Sequence, residues 1–423
     1  MNLKINIFTA ENKYQKSAVA GRKTAAEKDC KLHSMKQIKR FMFASAVVAF
    51  GAISLESCHK DDDEVIIEER EVIVTKEIVL TADAEPLTCV TPPFLKKGDK
   101  VALISPSYTT PMENVEKAAD VLRGWGLEPV IGPNADKTYA VKYAGTAAER
   151  AADVRWAINN PDIKAIVCNR GGYGSIQLVD ELALADLAAH PKWIVGFSDI
   201  TTLHGMLSCA GVMSIHGTMS TFLASSGGKD ATSTIMRDLL MGSVPKYSVP
   251  SHSQNITGKG TGTLVGGNIC TFVPLIGSKA DATAHKDIIL FIEEVGESMH
   301  NIDRLFNMLI LNGSIARCKG VILGEFVNCS ADLGYSSVEA MLHQYLEKYN
   351  IPVLCGFPAG HDNVNLPLVM GATATIDVTS SGATIEFDIE GGQTDINTSN
   401  PLPAMAFGHK QLMMMAGKTE AEN

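Results

Sequence analysis

Short uncharged strand runs alternate with helical segments through the first half of this chain, and that alternation restricts the folds it can adopt. Three runs lack charged side chains, as buried strands do, and they are Val101–Ser105, Ala165–Cys168 and Trp193–Gly196. Between the first two, Met112–Gly124 has apolar residues at helical spacing, and Thr146–Glu149 is a capping box that opens a further helix. Strands that alternate with helices form βαβ units around a parallel sheet, so we expect an α/β fold.

The second half of the chain continues with strands and helices and indicates a second domain. The expected strands are Ile288–Ile292, Gly320–Leu323 and Val353–Cys355, with helices near 300–312 and 336–349. Two alternating segments, Ala372–Val378 and Thr384–Ile389, then predict antiparallel strands. We therefore expect an N-terminal domain at 92–225, a Ser-, Gly- and Thr-rich interdomain linker at 226–258, a C-terminal domain at 259–390 and a flexible tail at 391–423.

The beginning of the chain carries the signals of export. Residues 36–40 are rich in Lys and Arg, and residues 41–55 form an uncharged, mostly apolar run of about 15 residues. This is the layout of a secretory signal, and the run is short for a membrane-spanning helix, which needs about 20 residues. The run ends in Leu55-Glu56-Ser57-Cys58, which resembles a bacterial lipoprotein box with Cys58 as the acylated residue. An ordinary secretory signal with an incidental Cys58 is the alternative.

We therefore expect residues 1–57 to be a presequence and lipoprotein signal peptide, with translation starting at Met35, and residues 58–91 to be an acidic tether. Within this tether, residues 61–64 are Asp, Asp, Asp and Glu, and they resemble the acidic patch that some Gram-negative bacteria place after a lipidated cysteine for surface export. The expected location is the cell envelope, with a lipid anchor in the membrane.

The composition argues against a nucleic-acid-binding protein, a zinc ribbon and a disulfide-rich scaffold. The net charge is −10 and aromatic residues make up only 6%, so a nucleic-acid-binding protein has little support. The nine cysteines are scattered singly with no CxxC pair, which argues against a zinc ribbon and against a disulfide framework.

The segment from Trp193 to Thr201 is the first candidate for chemistry. An apolar strand runs into Gly196, then Ser198, then a helix that we expect to start near Ile200. This strand–turn–helix layout is typical of a nucleophile elbow, in which the helix N-terminus favours developing negative charge. The alternative is that Ser198 or Asp199 is simply a helix N-cap.

A glycine-rich loop is the second candidate, at Asn169-Arg170-Gly171-Gly172-Tyr173-Gly174 directly after a strand. Glycines there allow backbone amides to approach a ligand. The loop could cradle a phosphate, although no nucleotide-binding motif is present, or it could bind an oxyanion or a substrate carboxylate beside the elbow. A structural turn is the third interpretation.

Two further candidates follow strands of the second half. Glu293 and Glu294 end a buried apolar strand, and His361 follows Gly356-Phe-Pro-Ala-Gly360 on a loop. A histidine at such a position is a plausible general base, although a single loop histidine is more often a surface residue. No second histidine or carboxylate stands at ligand spacing from His361, so we expect no metal.

Together these segments resemble the LD-carboxypeptidase family, the serine peptidases that include murein tetrapeptide carboxypeptidases and microcin C self-immunity peptidases. The resemblance covers about residues 95–380 and rests on nine stretches in the right order, which are 97–102, 144–150, 170–174, 196–199, 264–268, 291–293, 303–304, 320–324 and 360–361.

The resemblance implies a Rossmann-like N-terminal domain with a nucleophile elbow, a β-rich C-terminal domain, and a homodimer. It implies a triad of Ser198, Glu293 and His361, with oxyanion donors from Asp199 and from Gly171 or Gly172, and no cofactor. The implied substrate is an amide between an L-centre and a terminal D-amino acid, as in the murein tetrapeptide.

Two residues depart from the family pattern: Glu294 stands where Asp is common, and Thr218 stands where Pro is usual. The export signal is a larger departure, because the recycling members are cytoplasmic. Three hypotheses follow, namely an LD-carboxypeptidase outside the cytoplasm, an immunity-type peptidase for another modified peptide, and an inactive muropeptide-binding surface lipoprotein.

Overall fold

The fold is built from two β-sheets with helices packed around them. The structure, a computed structural model, describes residues 84–140, 142–362 and 364–397. Its strands are β1 (Lys100–Ile104), β2 (Glu128–Ile131), β3 (Ile163–Cys168), β4 (Trp193–Gly196), β5 (Ser214–His216), β6 (Ser243–Pro250), β7 (Gly258–Asn268), β8 (Ile288–Val295), β9 (Cys318–Val327), β10 (Val353–Cys355), β11 (Leu368–Met370), β12 (Thr373–Thr379), β13 (Gly382–Asp388) and β14 (Gln393–Asn397).

Ten α-helices connect these strands within the described residues. They are α1 (Met112–Gly124), α2 (Ala147–Asn159), α3 (Leu178–Glu181), α4 (Leu184–Ala189), α5 (Thr201–Cys209), α6 (Ser220–Ser226), α7 (Ala231–Leu240), α8 (Ile269–Phe272), α9 (Met299–Leu311) and α10 (Val338–Leu346). None of the helices in this part of the chain is long and apolar enough to cross a membrane.

The first sheet has the strand order β11-β5-β4-β3-β1-β2. Strands β1 to β5 pair in parallel, as the alternation of strands and helices predicted. Strand β11 pairs with β5 antiparallel, although it comes from the second half of the chain. This pairing ties the end of the second half to the sheet that carries the elbow.

The second sheet has the order β10-β9-β8-β7-β12-β13-β6-β14. Strands β7 to β10 pair in parallel, whereas β12 and β13 form the predicted antiparallel pair. The molecule is therefore a mixed α/β fold, with a largely parallel N-terminal sheet and a β-rich C-terminal part, which confirms the expected fold class. The buried apolar side chains of both sheets belong to one connected cluster.

Three of the expected boundaries need correction. The expected linker at 226–258 contains α7 and β6, because Asp230 caps the helix by accepting a hydrogen bond of 2.8 Å from the Ser233 amide, and β6 pairs with β13. The expected flexible tail at 391–423 begins with β14, which pairs in parallel with β6. The end of the expected tether at 58–91 is folded: Leu87 and Cys89 are buried, and Val90 forms a bridge with Val212. The expected signal peptide at 1–57, Cys58 and residues 398–423 lie outside the described residues.

We expect Gly266 to be irreplaceable in the pairing of β7 with β8. It has a φ of +127°, and a Cβ there would lie 1.8 Å from the Phe291 carbonyl oxygen on the paired strand. Gly266→Ala should therefore lower the free energy of unfolding by about 3 kcal/mol or more, because backbone would have to move. Gly277→Ala is the matched control: its φ is +79° with nothing within 4 Å, so backbone strain alone should cost about 1–2 kcal/mol. Urea unfolding measures both, and equal losses would contradict the clash.

Candidate active site

Ser198 occupies a strained turn between β4 and α5. Its φ is +62°, a left-handed conformation that is uncommon for any residue other than glycine. The turn is a short 3-10 segment, Ser198–Ile200, and the helix begins at Thr201. The structure therefore contains the strand–turn–helix arrangement predicted from the sequence. Strain of this kind is concentrated at functional sites, where the surrounding fold holds it in place.

A buried histidine that sequence reasoning missed fixes the end of β4. The carbonyl of Gly196 accepts hydrogen bonds from the Gly217 amide at 3.0 Å and from Nε2 of His204 at 2.9 Å. With its proton on Nε2, His204 accepts at Nδ1 from the Ser214 hydroxyl at 2.8 Å. Burial lowers the pKa of His204 to about 4, although the bond to Gly196 opposes the shift. His204 therefore stays neutral and holds the strand that leads into the elbow.

The glycine loop lies directly against the elbow. A Cβ on Gly171 would lie 2.9 Å from Cβ of Ser198 and 3.3 Å from the backbone nitrogen of Asp199. A Cβ on Gly172, whose φ is +112°, would lie 2.3 Å from the ring of Tyr108. The absence of a side chain at Gly171 allows the loop to pass this close to Ser198. The loop thus brings backbone amides near the position where a reacting carbonyl would sit.

The carboxylate of Asp199 has a structural role. It accepts hydrogen bonds from the Ser107 hydroxyl at 2.6 Å and from the Ser175 amide at 2.8 Å. Arg150 also holds this region, because its guanidinium donates to the carbonyls of Pro106 at 2.7 Å and Gly174 at 2.8 Å. These bonds join the elbow to the loops that follow β1 and β3.

Glu293 and His361 form a hydrogen-bonded pair that is sealed from solvent. Nδ1 of His361 lies 2.6 Å from Oε2 of Glu293, and both side chains are 0% exposed. Burial alone would lower the pKa of His361, but the charge and hydrogen bond of Glu293, together with Glu294, raise the pKa above its ordinary value. The other ring nitrogen, Nε2, is buried and has no hydrogen-bond partner in the described structure.

The imidazole of His361 packs beside the elbow. Its ring lies edge-on to that of Phe197, the residue before Ser198, with centroids 5.0 Å apart. The side chain of Ser198 is largely buried as well. The fold therefore brings the elbow of the first sheet and the Glu293–His361 pair of the second half into one place.

Asn365 and His216, which sequence reasoning did not select as site residues, hold the loop that carries His361. Oδ1 of Asn365 accepts from the Gly360 amide at 3.0 Å and from Nε2 of His216 at 3.1 Å. Burial lowers the pKa of His216 well below its ordinary value, so the ring is neutral and can donate from Nε2. A single acceptor thus joins the last residue of β5 to the residue before His361.

The side chain of Glu294 organises the start of α8. Its carboxylate accepts from the Asn268 amide side chain at 3.0 Å and from the backbone amides of Cys270 at 3.1 Å and Val295 at 2.7 Å. Burial and the neighbouring Glu293 carboxylate raise the pKa of Glu294. Of the two adjacent glutamates, Glu293 alone bonds to His361.

A cleft of about 320 Å³ opens beside the elbow. Its lining includes Ser198 and comes from both halves of the chain, and the lining residues are Gly172, Tyr173, Ile176, Ser198, Asp199, Asn268, Cys270, Thr271, Pro274, Glu294, Val295, Gly296 and Glu297. The described residues contain no cluster of three or more His, Cys, Asp or Glu side chains that could hold a metal ion. The arrangement offers a hydroxyl, an imidazole and a buried carboxylate for nucleophilic chemistry.

In comparison with known protein families, two domains of one family match this chain. The model for the LD-carboxypeptidase N-terminal domain matches residues 101–217, and that for the LD-carboxypeptidase C-terminal domain matches residues 261–376. The first contains the elbow and the glycine loop, and the second contains Glu293 and His361.

Two relatives match this chain over nearly the whole of their own length. A Synechocystis sp. protein, provisionally assigned as a carboxypeptidase, is 32% identical over 69% of this chain and 96% of its own length. The murein tetrapeptide carboxypeptidase of Pseudomonas aeruginosa is 29% identical over 66% of this chain and 93% of its own.

Solved structures agree with these matches. The muramoyltetrapeptide carboxypeptidase from Oxalobacter formigenes has a TM-score of 0.62 and 27% identity, and the match covers 70% of this chain and 100% of that one. The microcin C7 self-immunity protein MccF, in an inactive mutant apo state, has a TM-score of 0.62 and 26% identity over 71% of this chain and 98% of its own.

The Glu293 carboxylate should control the protonation of His361. Glu293→Gln removes the negative charge, and the remaining burial favours the neutral ring, so the pKa of His361 should fall. NMR titration of histidine-labelled protein measures this pKa, with His361→Gln to assign the resonance. An unchanged or higher pKa in Glu293→Gln would show that the pair does not set the protonation state.

Proposed function

The chain belongs to the LD-carboxypeptidase family, and we propose that it is a serine peptidase that hydrolyses the amide between an L-centre and a terminal D-amino acid in murein-derived tetrapeptides. The observation that carries this proposal is the sealed His361–Glu293 hydrogen bond of 2.6 Å beside the strained Ser198 turn. The unpartnered Nε2 of His361 leaves one nitrogen available for proton transfer.

In the acylation step, Oγ of Ser198 attacks the carbonyl carbon of the scissile amide while Nε2 of His361 accepts the hydroxyl proton. The Nδ1–H of His361 donates to Glu293, whose negative charge stabilises the imidazolium that forms. The tetrahedral intermediate then collapses. The C–N bond breaks, the imidazolium returns its proton to the leaving amine, and the terminal D-amino acid departs.

Backbone amides of the elbow and the glycine loop would stabilise the negative oxygen of the intermediate. The donors in this proposal are the N–H of Asp199 and one from Gly171 or Gly172, and the close approach of Gly171 to Ser198 and Asp199 supports them. The N-terminus of α5 adds favourable electrostatic potential at the same place. Loss of one such donor typically costs about 10²–10³ in rate.

Deacylation repeats these roles with water as nucleophile. His361 accepts a proton from the water as its oxygen attacks the acyl-enzyme carbonyl. The imidazolium then protonates Oγ of Ser198, and the shortened peptide leaves with a new carboxylate. The residues of the proposed triad supply each proton transfer.

The likeness to MccF gives the second candidate function, an immunity-type peptidase that cleaves another modified peptide. It would use the same three residues, so the two candidates differ in substrate and share the reaction. The third hypothesis, an inactive muropeptide-binding lipoprotein, has no need of a sealed acid–histidine pair beside a strained serine.

We also propose that the mature protein is a lipid-anchored homodimer in the cell envelope, at an outer-membrane, periplasmic or surface face. The sequence of residues 36–58 supports the anchor, with a charged segment, an apolar run and then Cys58. The diacyl or triacyl group of a bacterial lipoprotein suffices for stable anchoring, which a single acyl chain does not provide. The homodimer rests on the family resemblance.

Ser198→Ala should reduce release of the terminal D-amino acid from a murein tetrapeptide by roughly 10³-fold or more, because the nucleophile is lost. Mass spectrometry of the products measures the released residue. Ser225→Ala, at an exposed position on α6, is the matched control and should keep full activity. Activity of Ser198→Ala within about tenfold of wild type would exclude the serine mechanism.

Cys58→Ala should release the protein into the soluble fraction or leave it uncleaved, because the acylated residue is gone. Metabolic labelling of wild type with a palmitate analogue, followed by N-terminal sequencing, tests the anchor directly. If wild type takes up no label and its mature N-terminus lies elsewhere than Cys58, a plain secretory signal is the correct interpretation.

A further inference from the structure

A second, small cavity adjoins the loop that carries His361. Its volume is about 10 Å³, and its lining includes Phe197, Gly360 and Asn365, none of which lines the cleft beside Ser198. A buried water molecule needs about 10–15 Å³ and two to four polar partners. The cavity therefore has room for one water molecule and for no larger ligand.

Asn365 brings an unused hydrogen-bond donor to this cavity. Its Oδ1 accepts from the Gly360 amide at 3.0 Å and from Nε2 of His216 at 3.1 Å. Because the Gly360 amide can only donate, the orientation of the Asn365 amide is fixed and Nδ2 is left over. Asn365 is only 9% exposed, and its Nδ2 is buried with no hydrogen-bond partner among the described residues. A buried donor of this kind is unfavourable unless a water molecule or another group accepts from it.

Thr218 brings a hydroxyl to the same cavity. It lies in the turn between β5 and α6 and is buried, and no described residue forms a hydrogen bond with its hydroxyl. The other hydroxyl in the lining is already used, because Thr232 donates to Asp230 at 2.6 Å. Asp362 adds a carboxylate to the lining. Proline, the usual residue at position 218 in the family, has no hydroxyl, so this set of polar groups belongs to the present chain.

We propose that Asn365 and Thr218 bind one water molecule in this cavity, and that Thr218 thereby acts as a positioning residue for His361. The water accepts from Nδ2 of Asn365 and shares a hydrogen bond with the Thr218 hydroxyl. The Asn365 amide is then held at both ends and keeps its hydrogen bond to Gly360, the residue before His361. The positioning role rests on the proposed function, in which His361 must meet Oγ of Ser198, whereas the water site does not depend on it.

High-resolution crystal structures of wild type, Thr218→Val and Thr218→Ser test the water site. Valine has the shape of threonine without the hydroxyl, whereas serine keeps the hydroxyl. Wild type and Thr218→Ser should show a water within hydrogen-bonding distance of both Nδ2 of Asn365 and the hydroxyl oxygen, and in Thr218→Val this water should be lost or displaced. A wild-type structure without this water, or an unmoved water in Thr218→Val, would overturn the site.

Hydrolysis of a murein tetrapeptide by the same variants tests the effect on His361. Thr218→Val should lower kcat roughly fivefold or more and leave KM nearly unchanged, because one hydrogen bond that orders Asn365 is lost while the cleft beside Ser198 is untouched. Thr218→Ser should recover most of the wild-type kcat. Thr373→Val, which removes a hydroxyl from an exposed position on β12, is the matched control and should keep the wild-type kcat.

The outcomes separate this inference from the proposed function. A wild-type kcat in Thr218→Val, or an equal loss of kcat in Thr218→Val and Thr218→Ser, would overturn the positioning role while the peptidase activity stands. Failure of wild type to cleave the tetrapeptide would overturn the proposed function and the positioning role together, and the crystal structures would still decide the water site.

Discussion

The hydrogen bond between Glu293 and His361 is the interaction around which the rest of the site is arranged. Both side chains are fully buried, and an ionised carboxylate in such a place is stable only with a close partner. The pair joins the end of β8 to the loop after β10, and neither segment could be displaced without leaving a buried polar group unpaired. The backbone is shaped to allow this contact, since a Cβ at Gly360 would lie 3.0 Å from Oε2 of Glu293. The geometry of the histidine is therefore set by the fold before any substrate arrives.

A second set of contacts connects the segments that carry Glu293 and His361 to the sheet and helix on either side of Ser198. After the His361 loop the chain enters β11, which pairs with β5 of the first sheet. The helix that follows Ser198 also contacts the second sheet, because Oγ1 of Thr201 accepts from the Asn268 amide at 3.0 Å and Gly267 packs closely on Thr201. In register, Asn268 lies opposite Glu293. The helix after the elbow and the strand that carries Glu293 are thus connected through Gly267 and Asn268 of β7. The buried apolar side chains of the two sheets likewise form one cluster.

The sequence predicted those parts of the fold that depend on local signals. The helix Met112–Gly124, the capping box at Thr146 and the strand Trp193–Gly196 are all present, because uncharged runs, helical spacing and caps act over a few residues. The linker expected at 226–258 was wrong, since a high content of Ser, Gly and Thr obscured the cap at Asp230 and the apolar spacing behind it. The parallel edge strand β14 depends on a partner about 150 residues earlier in the chain, and no local pattern announces such pairing.

The functional site, like the fold, could be predicted from local sequence only in part. Ser198 could be placed on a turn from its neighbours alone, but the choice of base could not be made in that way, because three histidines are buried near the elbow. His204 and His216 face neutral acceptors, and burial lowers the pKa of each. His361 alone faces a carboxylate, so its pKa moves in the opposite direction. Identical side chains therefore acquire different roles from their partners. The two neutral rings hold backbone and loop in place, while the third can gain and release a proton.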